Sequence, residues 1–183
     1  MKKYLPITLV LILSLIVILP QVTNVFQSVA TPSKTEQKIN SHYENNLKKL
    51  NFTNLEGKKF SKEELSNNVV ILNFWASWCK PCIQEFPTLV SLRNKFPKEK
   101  LTILAINSDK SDTKKVIKKT IDKYGLNFDI VPFGEGKITS EYRIEGIPVT
   151  ILYKNGKVER IFNGEVDFNS EEFLENLKDL LKK

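Results

Sequence analysis

The chain has 183 residues, 41% of them hydrophobic and 27% charged, which suits one globular domain with appendages and a core that needs no disulfide staples. Seven Gly and eight Pro leave little room for a long disordered tract. The net charge of +7 raises the question of nucleic acid, but the surplus is lysine spread through helical stretches such as Lys114, Lys115, Lys118, Lys119 and Lys123. Arg93, Arg143 and Arg160 are the only arginines, and no basic patch is interleaved with aromatics. Taking Lys2, Lys3 and Lys34 from the total leaves +4 for residues 35–183, because residues 1–34 hold no acid. We read a lysine-coated, solvated surface and no nucleic-acid partner.

Lys2 and Lys3 precede an apolar run from Leu5 to Leu19, interrupted only by Pro6, Thr8 and Ser14. As a helix that run spans about 22 Å, short of the ~30 Å hydrocarbon core of a bilayer. Extension to Phe26 reaches about 33 Å but takes in Gln21, Thr23 and Asn24. Residues 1–30 therefore have two readings. A cleavable signal peptide fits the short run and the small residues of Ser28-Val29-Ala30, whereas an uncleaved signal anchor fits the longer count with the lysine pair inside. Both export the remainder. Residues 31–47 are polar and without apolar periodicity, which predicts a linker. His42, the only histidine, falls there and reads as a solvated residue, not a ligand or base.

A domain is predicted over residues 48–183. Leu50 to Leu55 followed by Glu56-Gly57 suggests a short strand and turn, and Ser61 to Glu64 has capping-box spacing. Val69 to Trp75 is a nearly continuous apolar run, as a strand buried on both faces requires. Cys79 to Lys95 reads as a helix with Ile83, Phe86, Leu89 and Val90 at helical spacing. Leu101–Ile106 predicts a second buried strand and Asp112–Tyr124 an amphipathic helix. A short strand at Phe128–Val131 and a short helix at Ile138–Tyr142 follow. Val149–Tyr153 and Val158–Phe162 flank Asn155-Gly156, a hairpin signal. The last helix carries Phe173, Leu174, Leu177, Leu180 and Leu181 on one face, with Asn169 and Glu172 expected to cap it. This order predicts an α/β fold: a mixed central sheet with helices on both faces.

Both cysteines of the chain lie in Trp78-Cys79-Lys80-Pro81-Cys82, directly after a buried strand and at the opening of a helix. Free amide N–H groups at a helix start stabilise negative charge, so the first cysteine suits a nucleophilic thiolate. Lys80 adds positive charge nearby. Cys82, one turn on, can attack a mixed disulfide and release a client. Pro81 lacks an N–H, which matters little in a first turn. A zinc site would need four ligands, and His42 is the only other soft candidate, so no metal is expected. A structural disulfide across two residues would staple almost nothing. Dithiol redox chemistry is the reading that remains.

The run Asn73-Phe74-Trp75-Ala76-Ser77-Trp78-Cys79-Lys80-Pro81-Cys82 resembles the signature of the thioredoxin superfamily, and Glu85 with Pro87 resembles its TlpA/ResA-like branch. The resemblance covers roughly residues 47–183 and implies a thioredoxin-like fold. Gly146-Ile147-Pro148 resembles the loop whose proline is cis in that fold, so Trp78, Ile147 and Pro148 are implied as client contacts. Asn73 stands where thioredoxins carry a buried acid, and Glu85, at i+3 from Cys82, resembles the branch's alternative for handling the Cys82 proton. The stretch Asn107–Ile144 resembles the branch's insertion and is implied in recognising partners. Val149 departs from the usual threonine after the proline, and Lys80-Pro81 departs from the pair found in strong oxidants.

What the resemblance implies is a thiol-disulfide oxidoreductase without cofactor, tethered outside the cytoplasmic membrane. It would reduce exported proteins, apocytochrome c among the classes of client, and draw electrons from a membrane redox donor. Net oxidation or isomerisation of exported proteins is the alternative within enzymes. Outside enzymes, the scaffold could serve as a non-catalytic binding module, because fold alone does not fix function.

Overall fold

A computed structural model describes residues 32–66, 68–110, 113–132 and 137–182. The signal or anchor expected over residues 1–30 lies outside them. Among the described residues no helix is long and apolar enough to cross a membrane.

The stretch expected to be a linker instead carries a helix, α1 (Lys34–Lys49). Two local signals explain it. Ser33 Oγ accepts from the Glu36 amide at 3.2 Å while Glu36 Oε2 accepts from the Ser33 amide at 2.7 Å, a reciprocal capping box. Tyr43, Asn46, Leu47 and Leu50 then recur at i, i+3, i+4 and i+7, and Asn46 and Leu47 are buried. His42 is likewise not simply solvated. Its Nε2 lies 2.8 Å from the Glu141 carbonyl oxygen, which also accepts from Asn46 Nδ2 at 2.6 Å.

After α1, β1 (Phe52–Thr53) and β2 (Lys59–Phe60) pair antiparallel, and α2 (Lys62–Ser66) starts at Ser61, whose Oγ accepts from the Glu64 amide at 3.0 Å. The main sheet comprises β3 (Val69–Trp75), β4 (Leu101–Asn107), β5 (Asp129–Val131), β6 (Val149–Lys154) and β7 (Lys157–Asn163) in the order β5-β4-β3-β6-β7. β3, β4 and β5 run parallel, while β6 and β7 are antiparallel to their neighbours, so the sheet is mixed as predicted. At the hairpin, Asn155 (φ 51°) and Gly156 (φ 73°) both take the left-handed backbone that a two-residue turn requires.

Alternate residues of β3 feed two apolar clusters. Val69, Ile71 and Trp75 pack with Phe86, Leu89 and Leu92 of α3 (Lys80–Lys95), Ile117 of α4 (Thr113–Tyr124), and Phe173 and Leu177 of α6 (Glu171–Lys182). Val70, Leu72 and Phe74 pack with Leu47, Leu65 and Ile138, the last on α5 (Lys137–Glu141). Helices thus cover both faces. The cap of α6 differs from expectation: Ser170, not Asn169, starts it, with Ser170 Oγ accepting from the Phe173 amide at 3.4 Å. Asn169 Oδ1 is already engaged by Ser91 Oγ (2.9 Å) and Lys95 Nζ (2.8 Å).

Candidate active site

The parallel strands end together, and the chemistry-bearing residues gather at those ends. Trp75, the last residue of β3, lies opposite Asn107, the last of β4. On the other side Phe74 pairs with Val149, so Pro148 enters β6 beside the point where β3 gives way to the Cys79 turn. The Cys79 amide donates to the Ala76 carbonyl at 3.1 Å, closing a turn whose central residues are Ser77 and Trp78. Trp78 is 72% exposed, and Cys79 follows as the N-cap of α3. Cys79 has extended backbone (φ −82°, ψ 102°), and its Sγ accepts from the Cys82 amide at 3.3 Å. A free N–H of the first helical turn therefore points at this sulfur, the contact that favours a thiolate there.

Cys79 and Cys82 are joined in a disulfide with Cα atoms 5.3 Å apart. Their accessibility is unequal. Cys79 keeps 4% exposure and Cys82 none, so an incoming thiolate meets Cys79 first. Among the described residues no cluster of His, Cys, Asp and Glu could hold a metal ion.

Glu85 lies one turn beyond Cys82 and is 1% exposed, not on the helix surface. Asn73, on the α3 side of β3, donates from Nδ2 to Glu85 Oε1 at 2.6 Å and to Thr150 Oγ1 at 3.0 Å. The Val166 amide donates to Glu85 Oε2 at 3.2 Å. Burial outweighs these two bonds and pushes the Glu85 carboxyl up to about 7, with Glu165 adding to the rise. A carboxyl in that range can hold or release a proton near neutral pH. Asn73, which stands where the resemblance would place an acid, is thus a hydrogen-bond partner of Glu85.

The Ile147–Pro148 peptide bond is cis. The Gly164 amide donates to the Pro148 carbonyl at 2.9 Å, and Ile147 remains partly exposed. A cavity of about 380 Å³ opens beside this loop, lined by Tyr43, Arg143, Ile147, Pro148 and Asn163 among others. The sequence reading missed Asp109. It is 5% exposed and accepts from the Ser77 amide and hydroxyl, immediately before the reactive pair. A polar Asn-Ser-Asp run directly after a buried strand was the available signal.

The family model described as "AhpC/TSA family" matches residues 44–161, more than half of the chain, including Cys79, Cys82, Glu85, Asp109 and Pro148. The chain belongs to the AhpC/TSA family. Within the thioredoxin superfamily, relatives named thiol-disulfide oxidoreductase ResA are similar to it. One from Bacillus thuringiensis (strain Al Hakam) is 36% identical over 62% of this chain and 65% of its own length. Another, from Bacillus thuringiensis subsp. konkukian (strain 97-27), is 33% identical over 72% of each. The crystal structure of StoA from Bacillus subtilis superposes with a TM-score of 0.59 at 28% identity, covering 72% of this chain and 94% of that one. That likeness accounts for the thioredoxin-like α/β architecture of this AhpC/TSA domain.

Proposed function

We propose that the protein is a thiol-disulfide oxidoreductase that reduces disulfides of exported proteins outside the cytoplasmic membrane, held there by its N-terminal segment. The observation that carries the reading is the placement of Cys79 at the start of α3, its sulfur facing the Cys82 amide and bonded to Cys82. The relatives named thiol-disulfide oxidoreductase support the exchange chemistry, while exported clients, the haem-binding cysteines of apocytochrome c among them, are what the branch resemblance implies.

In the reduced protein the Cys79 thiolate attacks a client disulfide. One client thiolate leaves, and Cys79 is joined to the client. The Cys82 thiol gives its proton to the Glu85 carboxylate and attacks Cys79 Sγ. The second client thiolate leaves, and the Cys79–Cys82 disulfide forms. Two electrons have passed to the client, and a membrane dithiol donor returns them. Trp78 and the Ile147–Pro148 loop hold the client strand beside Cys79, with the Ile147 backbone offered for pairing.

Insulin reduction by the full chain tests the activity. Cys79→Ser should lose it by at least a thousandfold, whereas Cys82→Ser should accumulate a mixed disulfide with the client. Full turnover by Cys79→Ser would overturn the mechanism. A midpoint potential near that of strongly oxidising periplasmic enzymes would reverse the direction.

A further inference from the structure

Beyond the reactive pair and Glu85, a second buried carboxylate is built into the same end of the sheet. Asp109 lies two residues past β4. Its Oδ1 accepts from the Ser77 amide at 3.2 Å and from Ser77 Oγ at 3.1 Å. Its Oδ2 accepts from the same amide at 3.1 Å and from Asn107 Nδ2 at 2.8 Å. The Asp109 amide in turn donates to Asn107 Oδ1 at 3.1 Å, and the Ser108 amide donates to the Trp75 carbonyl at 2.8 Å. The loop after β4 and the turn after β3 are therefore stitched together, and the main clasp is one carboxylate.

We propose that Asp109 is a positioning residue for the redox pair: by gripping Ser77 it fixes the turn that presents Trp78 and Cys79, and its charge restrains the reactivity of the Cys79 sulfur. This rests on the oxidoreductase reading. The geometry gives two reasons. First, Ser77 is a central residue of the turn closed by the Cys79 amide and the Ala76 carbonyl, so holding Ser77 holds the N-cap of α3. A short turn with buried ends and two anchors has few alternative conformations. Second, Ser77 and Cys79 are two residues apart, so the carboxylate lies within roughly 10 Å of the Cys79 backbone. At that range, and in a partly buried setting, a negative charge raises the energy of a thiolate appreciably. It opposes the helix-start amides that favour the same thiolate. The two influences set how readily the sulfur reacts, and they come from different elements. α3 supplies one, and the loop after β4 supplies the other.

The test uses the reduced full-length chain in detergent, comparing wild type with Asp109→Asn and Asp109→Ala. Asp109→Asn keeps an acceptor oxygen for Ser77 and removes the charge. Carbamidomethylation of Cys79 by iodoacetamide at pH 7, read by peptide mass, should run about fivefold faster in Asp109→Asn. The glutathione ratio at which half the protein is reduced should move several-fold toward the dithiol. Should Asp109→Ala fail to fold, Ser77→Ala supplies the second variant: it keeps the charge and the amide bond, and its alkylation rate should stay within twofold of wild type. An Asp109→Asn rate that is unchanged or lower, whatever happens to thermal stability, overturns the proposal and leaves Asp109 a purely structural clasp. Failure of the wild-type chain to reduce insulin would sink the oxidoreductase reading separately, since the alkylation comparison needs no turnover.

Discussion

The two faces of the main sheet use the same strand differently. On the side of α1, α2 and α5, β3 contributes Val70, Leu72 and Phe74 to a cluster that is apolar apart from the tyrosine pair Tyr142 and Tyr153. On the side of α3, α4 and α6, the sequence Val69, Ile71, Asn73, Trp75 inserts one amide into an otherwise apolar row. That amide binds Glu85, and Glu85 lies one turn from Cys82. The first face, with Asn46 as an exception, follows the rule that buried positions are filled with apolar side chains. The second breaks it at one point, where a buried carboxyl raises the energy of its own charged form. The contrast separates residues that hold the domain together from residues that, in the proposed mechanism, give up stability for proton handling.

Leu47→Ala tests the first face and carries the largest stability change. The side chain is buried against Phe52 and Leu65, and its truncation should cost roughly 2–5 kcal/mol of unfolding free energy. Insulin reduction per folded molecule should stay at the wild-type level. A large fall in activity at preserved folding would show that the two faces are coupled more tightly than the packing indicates.

Glu85→Gln tests the second face. Burial pushes the carboxyl up to about 7 in the folded chain, from an ordinary value of 4.5. Below about pH 4.5 both folded and unfolded forms are protonated, and the group has no effect. As pH rises the unfolded chain releases its proton first, so stability falls until the folded-state value is passed. The wild-type chain should therefore lose roughly 3 kcal/mol between pH 4.5 and 8 through this group. Glu85→Gln should remove that slope in chemical denaturation series, although one of the two bonds from Asn73 and Val166 loses its acceptor. Attack by Cys82 on the mixed disulfide should slow about ten- to a hundredfold at neutral pH. An unchanged pH slope would mean that Glu85 is not held in the protonated form.

The sequence made much of this legible. Val69–Trp75 was readable as a doubly buried strand because apolar residues fill both faces, and Asn155-Gly156 because only residues that tolerate positive φ fit the turn. The place of the cysteine pair at a helix opening was legible from its position after that strand. α1 was not, because Leu47 is the one aliphatic residue buried within it, and its polar Asn46 is buried through a bond to the Glu141 carbonyl that lies 95 residues away. The role of Asn73 was hidden for the same reason: its partners Glu85 and Thr150 are 12 and 77 residues distant. Local periodicity carries no record of such pairings.

The cap of α6 shows how this failure works at its smallest scale. Asn169 and Ser170 are both good N-cap residues, and sequence alone does not rank them. The structure does, because Asn169 Oδ1 is held by Ser91 and Lys95 of α3 and cannot also accept from the start of α6. Ser170 is left to receive the Phe173 amide, and its own carbonyl receives the Leu174 amide at 3.0 Å. Ser170→Ala should cost about 1 kcal/mol by thermal or denaturant unfolding. Asn169→Ala removes a partly solvated tie between α3 and the α6 approach, and should cost less than half of that. Equal losses would mean that the tie to α3 is as strong as the cap, and that Asn169 anchors the face on which Glu85 sits.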